Sequence, residues 1–512
     1  MALIQLPLRL FQIAYVRLVE GYIPPMGYCC DGSFSDDLWI RDDLNGSVGF
    51  RSAGVPSRVD DDLRHSSLRS MPHPRARPYP NRGIPLGHPA VSFASWRANL
   101  CGQGNLPAPI NLQRRFVLMK TLVVFGNAPV LIDIIRSLGF SLVQLLPPSE
   151  GRDFCYQDAH MVFITDYVNS MEFLGILKCI AKDTPLSGVL SFSEYGLLPA
   201  ALTAEEFGLR YAPVSAVNIS RNKAEMRNLL KEKLGHGIRF SQVTNRDEAK
   251  AFLADVGGAA IVKPIGGFAS EGVRAIRDQA DLDTLSSAAF PVLMEEIVEG
   301  IELSLDFIGT DDGLIPLGVN EEVNGGVRYH NPYVEAQHVY PARISAEVRD
   351  EAIEFVRQTL KAIGLDYGPS HTEVLMTKTG PVLIETHSRF AGDFITELFE
   401  RSTGCNLLEN YVRWAAGETI QIDASPKRAA SIHYFTASPG IVKNIKGSFR
   451  FRSHPNVIRI DLPLEIGSVV KQVGSSFDRY GYILVSASTN VEAAEIAQQI
   501  VGSITIETAA PH

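Results

Sequence analysis

Between Leu122 and Phe192, short uninterrupted apolar runs alternate with stretches of helical spacing. That alternation limits the fold more than any other feature of the chain. Leu122-Val-Val-Phe125 has no polar face, the pattern of a strand covered on both sides. Gly126-Asn-Ala-Pro129 turns the chain into a helix over 130–138 that stops at Gly139. Further strands are predicted at 141–146, 161–164 and 188–192, with a helix over 170–181. The order implies an open parallel α/β sheet, whose ligands sit beyond the carboxyl ends of the strands. Gly126, Asn127 and Ser193-Glu194-Tyr195 would therefore rim a pocket. No Gly-x-Gly-x-x-Gly is present, so a dinucleotide is not expected.

Upstream of Met119 the text differs in kind. Residues 1–118 hold thirteen arginines and no lysine, in Pro/Arg/Ser-rich sequence without a sustained helix or strand period. Such a segment buries too little apolar surface to offset the entropy of ordering it. The expectation is a disordered or non-native extension, with the natural product starting near Met119. A net charge of −9 leaves no electrostatic footprint for nucleic acid. No apolar run approaches the roughly 20 residues of a membrane span. The six cysteines show no metal-ligand spacing and suit a reducing compartment, hence a cytoplasmic location.

Downstream, charged residues recur beside strands. Glu373-Val-Leu-Met and Pro381-Val-Leu-Ile-Glu385 read as a hairpin around the turn 377–380. Antiparallel pairing would set Glu373 beside Glu385, and two adjacent carboxylates call for a cation, which as hard oxygen ligands they offer to Mg²⁺. Arg389 adds a fork suited to phosphate or an oxyanion. Lys223 opens a predicted helix, and Lys263 ends a strand before a loop containing Gly266, Gly267, Ser270 and Gly272. Such glycines let backbone N–H groups approach phosphate. Glu295-Glu296-Ile-Val298 suits an extended linker, with Glu302 placed to accept from ribose hydroxyls. Singly, each has an ordinary reading: a solvated hairpin end, a surface lysine, a bare glycine hairpin.

Together, in this order and spacing, they resemble the ATP-grasp superfamily over about 122–506. The resemblance implies an α/β (α+β) ATP-grasp fold. Its parts would be a pre-ATP-grasp α/β domain (119–219), small (220–298) and large (299–420) ATP-grasp subdomains, and a β-rich C-terminal lid (421–512). Lys223 and Lys263 would contact ATP phosphates, Glu295 and the Val298 backbone the adenine, and Glu373 with Glu385 Mg²⁺ (or Mn²⁺). The family places Asn two residues past the second Glu; here His387 stands there and is a candidate third ligand only by position. His371-Thr-Glu373, Arg389-Phe-Ala-Gly392 and Tyr333-Val-Glu-Ala-Gln-His338 look most like the L-amino-acid ligases, which make dipeptides. By that likeness Glu335 would take a substrate amino group, His338 would lie near its carboxylate, and Arg389 would stabilise the oxyanion. Asp393 stands after Gly392 in place of a bulky aromatic, which implies a larger or cationic side chain. Small-molecule amino acids are the expected partners, with a homodimer allowed. Two other readings are a carboxylase-type or purine-type ligase and a nucleotide-binding module without turnover.

Overall fold

A computed structural model describes residues 119–510 apart from 151–160, 236, 268, 448–450 and 452. The expected extension over 1–118 lies outside the described residues. The first apolar runs form β1 (Thr121–Phe125), β2 (Ser141–Leu146), β3 (Met161–Ile164) and β4 (Leu186–Ser191), with helices α1 (Pro129–Ser137) and α2 (Glu172–Ala181) as crossovers. The strands are parallel in the order β3-β2-β1-β4, and every residue of β1 is buried. Gly126 leaves β1 at φ 87°, where a Cβ would meet the Ser193 Cβ at 3.0 Å. The buried Gln144 amide donates to the Gly126 carbonyl at 3.0 Å and fixes that turn. A short turn of helix at Glu194–Gly196 follows β4, and α3 (Leu197–Phe207) and α4 (Val214–Arg221) lead away from the sheet.

α5 (Lys223–Leu234) begins where Asn222 accepts the Glu225 N–H, so its cap sets Lys223 at the first helical position. A second sheet of β5 (Phe240–Val243), β6 (Ala260–Pro264), β7 (Arg274–Ile276) and β8 (Val292–Glu296) runs in the order β5-β8-β6-β7. Helices α6 (Arg246–Asp255) and α7 (Gln279–Asp283) cover it, packing Ala249, Phe252, Leu253 and Leu282 into one apolar cluster. β6 and β7 pair only as far as Val262, but Pro264 still lies opposite Val292 of β8. Proline lacks the N–H but keeps the carbonyl, so it can end a strand on one side.

The remainder is built on an antiparallel sheet of eight strands. It comprises β9 (Ile301–Thr310), β10 (Gly313–Asn324), β11 (Glu335–Tyr340), β12 (Gly368–Thr377), β13 (Gly380–His387), β14 (Ala429–Tyr434), β16 (Val457–Asp461) and β18 (Tyr482–Ala487). Their order is β13-β12-β9-β10-β11-β14-β18-β16. Helix α8 (Ala346–Ile363), capped by Ser345 and stopped by left-handed Gly364, packs against it, as does α9 (Ile395–Thr403). α10 (Leu407–Ala415) runs from its Asn406 cap. Three C-terminal strands thus extend the sheet begun by β9, so the boundary expected at 420/421 falls within one hydrogen-bonded surface. β15 (Gly440–Lys446), β17 (Val469–Val470) and β19 (Thr505–Ala509) form a separate sheet, and α11 (Asn490–Ser503) lies against β14 and β18. β19 follows that helix.

Candidate active site

The hairpin β12–β13 has the register its turn implies: Glu373 faces Glu385 and His371 faces His387. Alternate residues share a face, so two acids and two imidazoles stand together at one end of the sheet. The ladder shifts register between Glu373 and Val374, next to the acids. On the other side of β12, β9 sets Asp306 opposite His371 and Ser304 opposite Glu373. Asp306 accepts from His371 Nδ1 at 3.0 Å and from the Ala391 N–H at 3.2 Å, and His371 Nε2 lies 3.5 Å from Glu373 Oε1. Burial lowers the His371 pKa, but Asp306 and Glu373 outweigh it and push the ring up to about 10. It is therefore an imidazolium at neutral pH.

Glu385 is held by cations on both oxygens. Lys223 Nζ lies 2.8 Å from Oε2 and donates to the Gly267 carbonyl at 2.8 Å, while His387 Nε2 lies 2.9 Å from Oε1. Burial would raise the Glu385 carboxyl, yet Lys223 and His387 hold it well below the usual range. The other nitrogen of His387, Nδ1, lies 2.8 Å from Glu194 Oε1, the same oxygen that accepts from Arg389 Nε at 2.6 Å. His387, a third ligand by position only, is thus engaged by two carboxylates. Both ring nitrogens face carboxylates, and although burial opposes it, Glu194 and Glu385 raise the ring's pKa. Glu194, seen in the sequence only as a pocket rim, is thus the group by which the N-terminal domain grips both His387 and Arg389.

A second cation group lies in the small subdomain. Ile261 of β6 faces Glu295 of β8, and Lys263, two residues on, reaches Glu295 Oε2 at 2.8 Å. Arg227 of α5 takes Oε1 at 2.7 Å and donates to the Ile384 carbonyl of β13 at 2.9 Å. Glu295 is 2% exposed. Burial raises its carboxyl, but Arg227 and Lys263 bring it down to about 2. The Glu295 carboxylate is therefore paired with both cations, and residues 297–300, Val298 among them, belong to no strand. Glu296 turns to Arg239, at 2.8 Å from Nε.

Lys223, Lys263, Val298, Glu302, Glu373 and Glu385 line one cleft, together with Gly267 and Ser270 of the glycine loop. Gly266 and Gly272 flank those residues, and left-handed Gly272 packs under Pro264. Beyond Glu373 the same sheet face carries Glu302, Glu322 and Glu335. Glu322, Glu302 and Glu335 bring oxygens within 4.8 Å of one another, and Glu322 does the same with His371 and Glu373. The Glu302 carboxyl is pushed to about 8 by burial and by Glu373 and Glu335, despite a 2.5 Å hydrogen bond from Asn324 Nδ2. Burial, Asp393 and Glu373 push Glu335 to about 7. Glu322 is raised well above the carboxylate range, by burial and then by Glu373 and Glu335. Hard oxygen donors with excess negative charge fit a bound divalent cation such as Mg²⁺.

Glu322 gives a pH-dependent prediction. Below its unfolded value of 4.5 the carboxyl is protonated in both states and carries no penalty. As pH rises above that value the unfolded chain ionises while the fold resists, so stability is lost. Glu322→Gln removes the penalty. In metal-free buffer its melting temperature should match wild type near about pH 4.5 and exceed it by several degrees near about pH 8. An equal difference at both pH values would show that the acid is not strained.

The substrate-side residues also meet. Arg479 reaches Asp393 Oδ1 at 2.5 Å and the Glu335 carbonyl at 3.1 Å, with Glu335 Oε2 at 3.8 Å and the Tyr434 ring 3.7 Å from the guanidinium carbon. His338 Nε2 lies 3.5 Å from Asp393 Oδ2, and Nδ1 faces Asn320 and Glu322. Burial would raise Asp393, but His338 and Arg479 hold it far below its usual range. Asp393 and Phe394 both have positive φ, 50° and 63°, and the Gly392 carbonyl accepts the Ile395 N–H at 3.0 Å to start α9. Two consecutive left-handed non-glycine residues store strain at this face. The preference for a cationic side chain inferred from Asp393 is corrected here, because Arg479 already neutralises that carboxylate. Arg479, Tyr434, Glu322 and Arg227 carried no motif by which the sequence could announce them.

Residues 257–397, which include Lys263, Glu295, Glu373, Glu385 and Arg389, match the family model described as ATP-grasp domain. Residues 433–509 match L-amino acid ligase C-terminal domain 2. Residues 257–397 therefore carry an ATP-grasp domain, and the chain is similar to ligases. An uncharacterized protein of Sinorhizobium fredii, y4rH, is 26% identical over 406 residues, 77% of this chain and 83% of that protein. Alanine–anticapsin ligase of Bacillus subtilis is 25% identical over 249 residues, covering 42% of this chain and 52% of the ligase, so the match spans about half that enzyme's length. An L-amino acid ligase from Bacillus licheniformis shares the fold at TM-score 0.65 and 20% identity, over 76% of this chain and 99% of that one. Within the superfamily the chain is similar to the L-amino acid ligases. Among the described residues no helix is long and apolar enough to cross a membrane.

Proposed function

We propose that the chain joins two L-amino acids through an acyl phosphate, using ATP with Mg²⁺ (or Mn²⁺). The observation that carries this reading is the Glu373–Glu385 pair, set across one ladder at a cleft that also holds Lys223 and Lys263. The cleft gathers cationic and acidic side chains as a nucleotide site would, and the strand-free backbone at 297–300 suits an adenine edge. Glu373 and Glu385 would hold the metal, which when bound would neutralise the triphosphate. Lys223 now balances Glu385 and would be released toward phosphate. Lys263 is steadied by Glu295 at the same wall.

A substrate carboxylate oxygen attacks the γ-phosphorus and ADP leaves, giving the acyl phosphate. The neutral amine of the second amino acid then attacks the acyl carbon. Arg389 stabilises the oxyanion, phosphate departs and the amide remains. Positioning and charge compensation supply most of the acceleration in such phosphoryl transfers. Glu335, raised to about 7, is suited to receive an ammonium group or an amine proton. The neutralised Asp393–Arg479 pair favours an uncharged substrate side chain. The presence of both metal acids together with Arg389 argues against a module without turnover.

The test is ADP and phosphate release with the twenty amino acids singly and in pairs, with products weighed by mass spectrometry. Release should require a pair and yield a product of the summed masses less one water. Release driven by bicarbonate alone, or by no amino acid, would overturn the reading.

A further inference from the structure

We propose that Asn331 is a positioning residue that ties the glycine loop to the C-terminal segment, so that the phosphate cover and the amino-acid pocket close as one unit; this rests on the ligase reading above. Asn331 is 7% exposed and every polar group of its side chain is used. Nδ2 donates to the Ser270 carbonyl at 2.8 Å and to the Gly474 carbonyl at 3.2 Å, while Oδ1 accepts the Tyr333 N–H at 3.1 Å. Its own backbone N–H donates to the Val473 carbonyl at 3.1 Å. One amide thus bridges a loop 61 residues before it and a turn 143 residues after it.

Two more bonds close the same seam. Ser270 Oγ donates to the Tyr333 carbonyl at 3.3 Å, and the Ser476 N–H donates to the Ala269 carbonyl at 3.3 Å. Ala269 and Ser270 sit at φ 59° and 55°, a left-handed pair without glycine. Such strain persists where the surroundings over-determine it, and here Asn331, Tyr333 and Ser476 do so. The turn is itself braced, because Asp478 Oδ2 accepts from the Gly474 and Ser475 N–H groups at 3.1 and 2.9 Å.

The far side of this turn faces the amino-acid pocket. Ser476 Oγ donates to Glu335 Oε2 at 3.1 Å, and Arg479 donates to the Ser476 carbonyl at 2.9 Å while holding Asp393. The segment from Val473 to Arg479 therefore touches the glycine loop with one edge and the substrate acids with the other. If the tie loosens, water replaces the amine: its oxygen attacks the acyl carbon, phosphate leaves and the free acid is regenerated. ATP is then cleaved without an amide. Asn331 couples the two events by keeping the loop seated while the intermediate exists.

Asn331→Asp tests this with almost no change of shape. It keeps the acceptor for Tyr333 but sets an oxygen against two carbonyls. The KM for ATP should rise about tenfold, since two hydrogen bonds are lost. ADP formed per amide should climb from about one to several. A folded variant with wild-type KM and ratio would overturn the proposal. Hydrogen exchange on the wild-type protein gives an independent readout that needs no variant and no turnover. On adding ADP, protection should appear in 269–272 and 473–476 over the same ADP range. Protection of the loop alone would sink the tie even in a fully active ligase, whereas absence of amino-acid-dependent ADP release from wild type would instead sink the ligase reading.

Discussion

Arg389→Ala lowers amino-acid-dependent amide and ADP formation by a factor on the order of 10²–10³, the usual loss for one oxyanion donor. The side chain is fixed on one edge only. Nε meets Glu194 at 2.6 Å and Nη1 donates to the Phe390 carbonyl at 3.0 Å, so Nη2 takes part in neither bond. Two residues back, at the end of β13, His387 contacts both Glu194 and Glu385. Arg389 is not among the residues lining the nucleotide cleft, so the loss belongs in kcat and the KM for ATP stays near wild type. Glu194 keeps His387 as a partner after the substitution, so the fold should hold. Arg389→Lys should recover only part of the rate, because a point charge does not replace the planar fork. Unchanged turnover in Arg389→Ala would remove the residue from the mechanism.

The hairpin acids were legible because two local rules decide them. A turn at 377–380 sets the register, and side-chain alternation then places Glu373 against Glu385 and His371 against His387. The same holds for Lys263, which sits between an apolar strand and a run of glycines. What could not be read is what these residues lean on. His387 looked like a ligand from its motif position, yet its tautomer and charge are decided by Glu194, a residue of another domain. Arg389 and that same carboxylate are 195 positions apart. Asp393 read as a bare negative charge until Arg479, 86 residues downstream, was found against it. β19 escaped notice because Thr505-Ile-Glu-Thr-Ala is short and not one of its residues is buried. Strand order is a tertiary property, so the addition of the C-terminal strands to the large sheet is not legible in the sequence.

Glu295→Ala should destabilise the protein by about 3–5 kcal/mol, the cost of leaving buried charge without its partner. Glu295 alone separates two cations, with Arg227 on one oxygen at 2.7 Å and Lys263 on the other at 2.8 Å. All three side chains are nearly inaccessible, at 5%, 3% and 11% exposure for Arg227, Glu295 and Lys263. Removing the acid therefore leaves like charges facing each other in a place water reaches poorly. The damage also spreads, because Arg227 joins α5 to β13 next to Glu385. Glu295→Gln keeps the shape and one acceptor and should cost less. The carboxyl's folded value of about 2 lies below its unfolded 4.5, so its contribution is present above 4.5 and disappears as pH falls through about 2. Urea unfolding near about pH 7 should therefore show a clear drop in midpoint for Glu295→Ala, and the gap to wild type should narrow in acid. A midpoint equal to wild type at neutral pH would mean that Arg227 and Lys263 find other partners, and that Lys263 is not held for ATP by this acid.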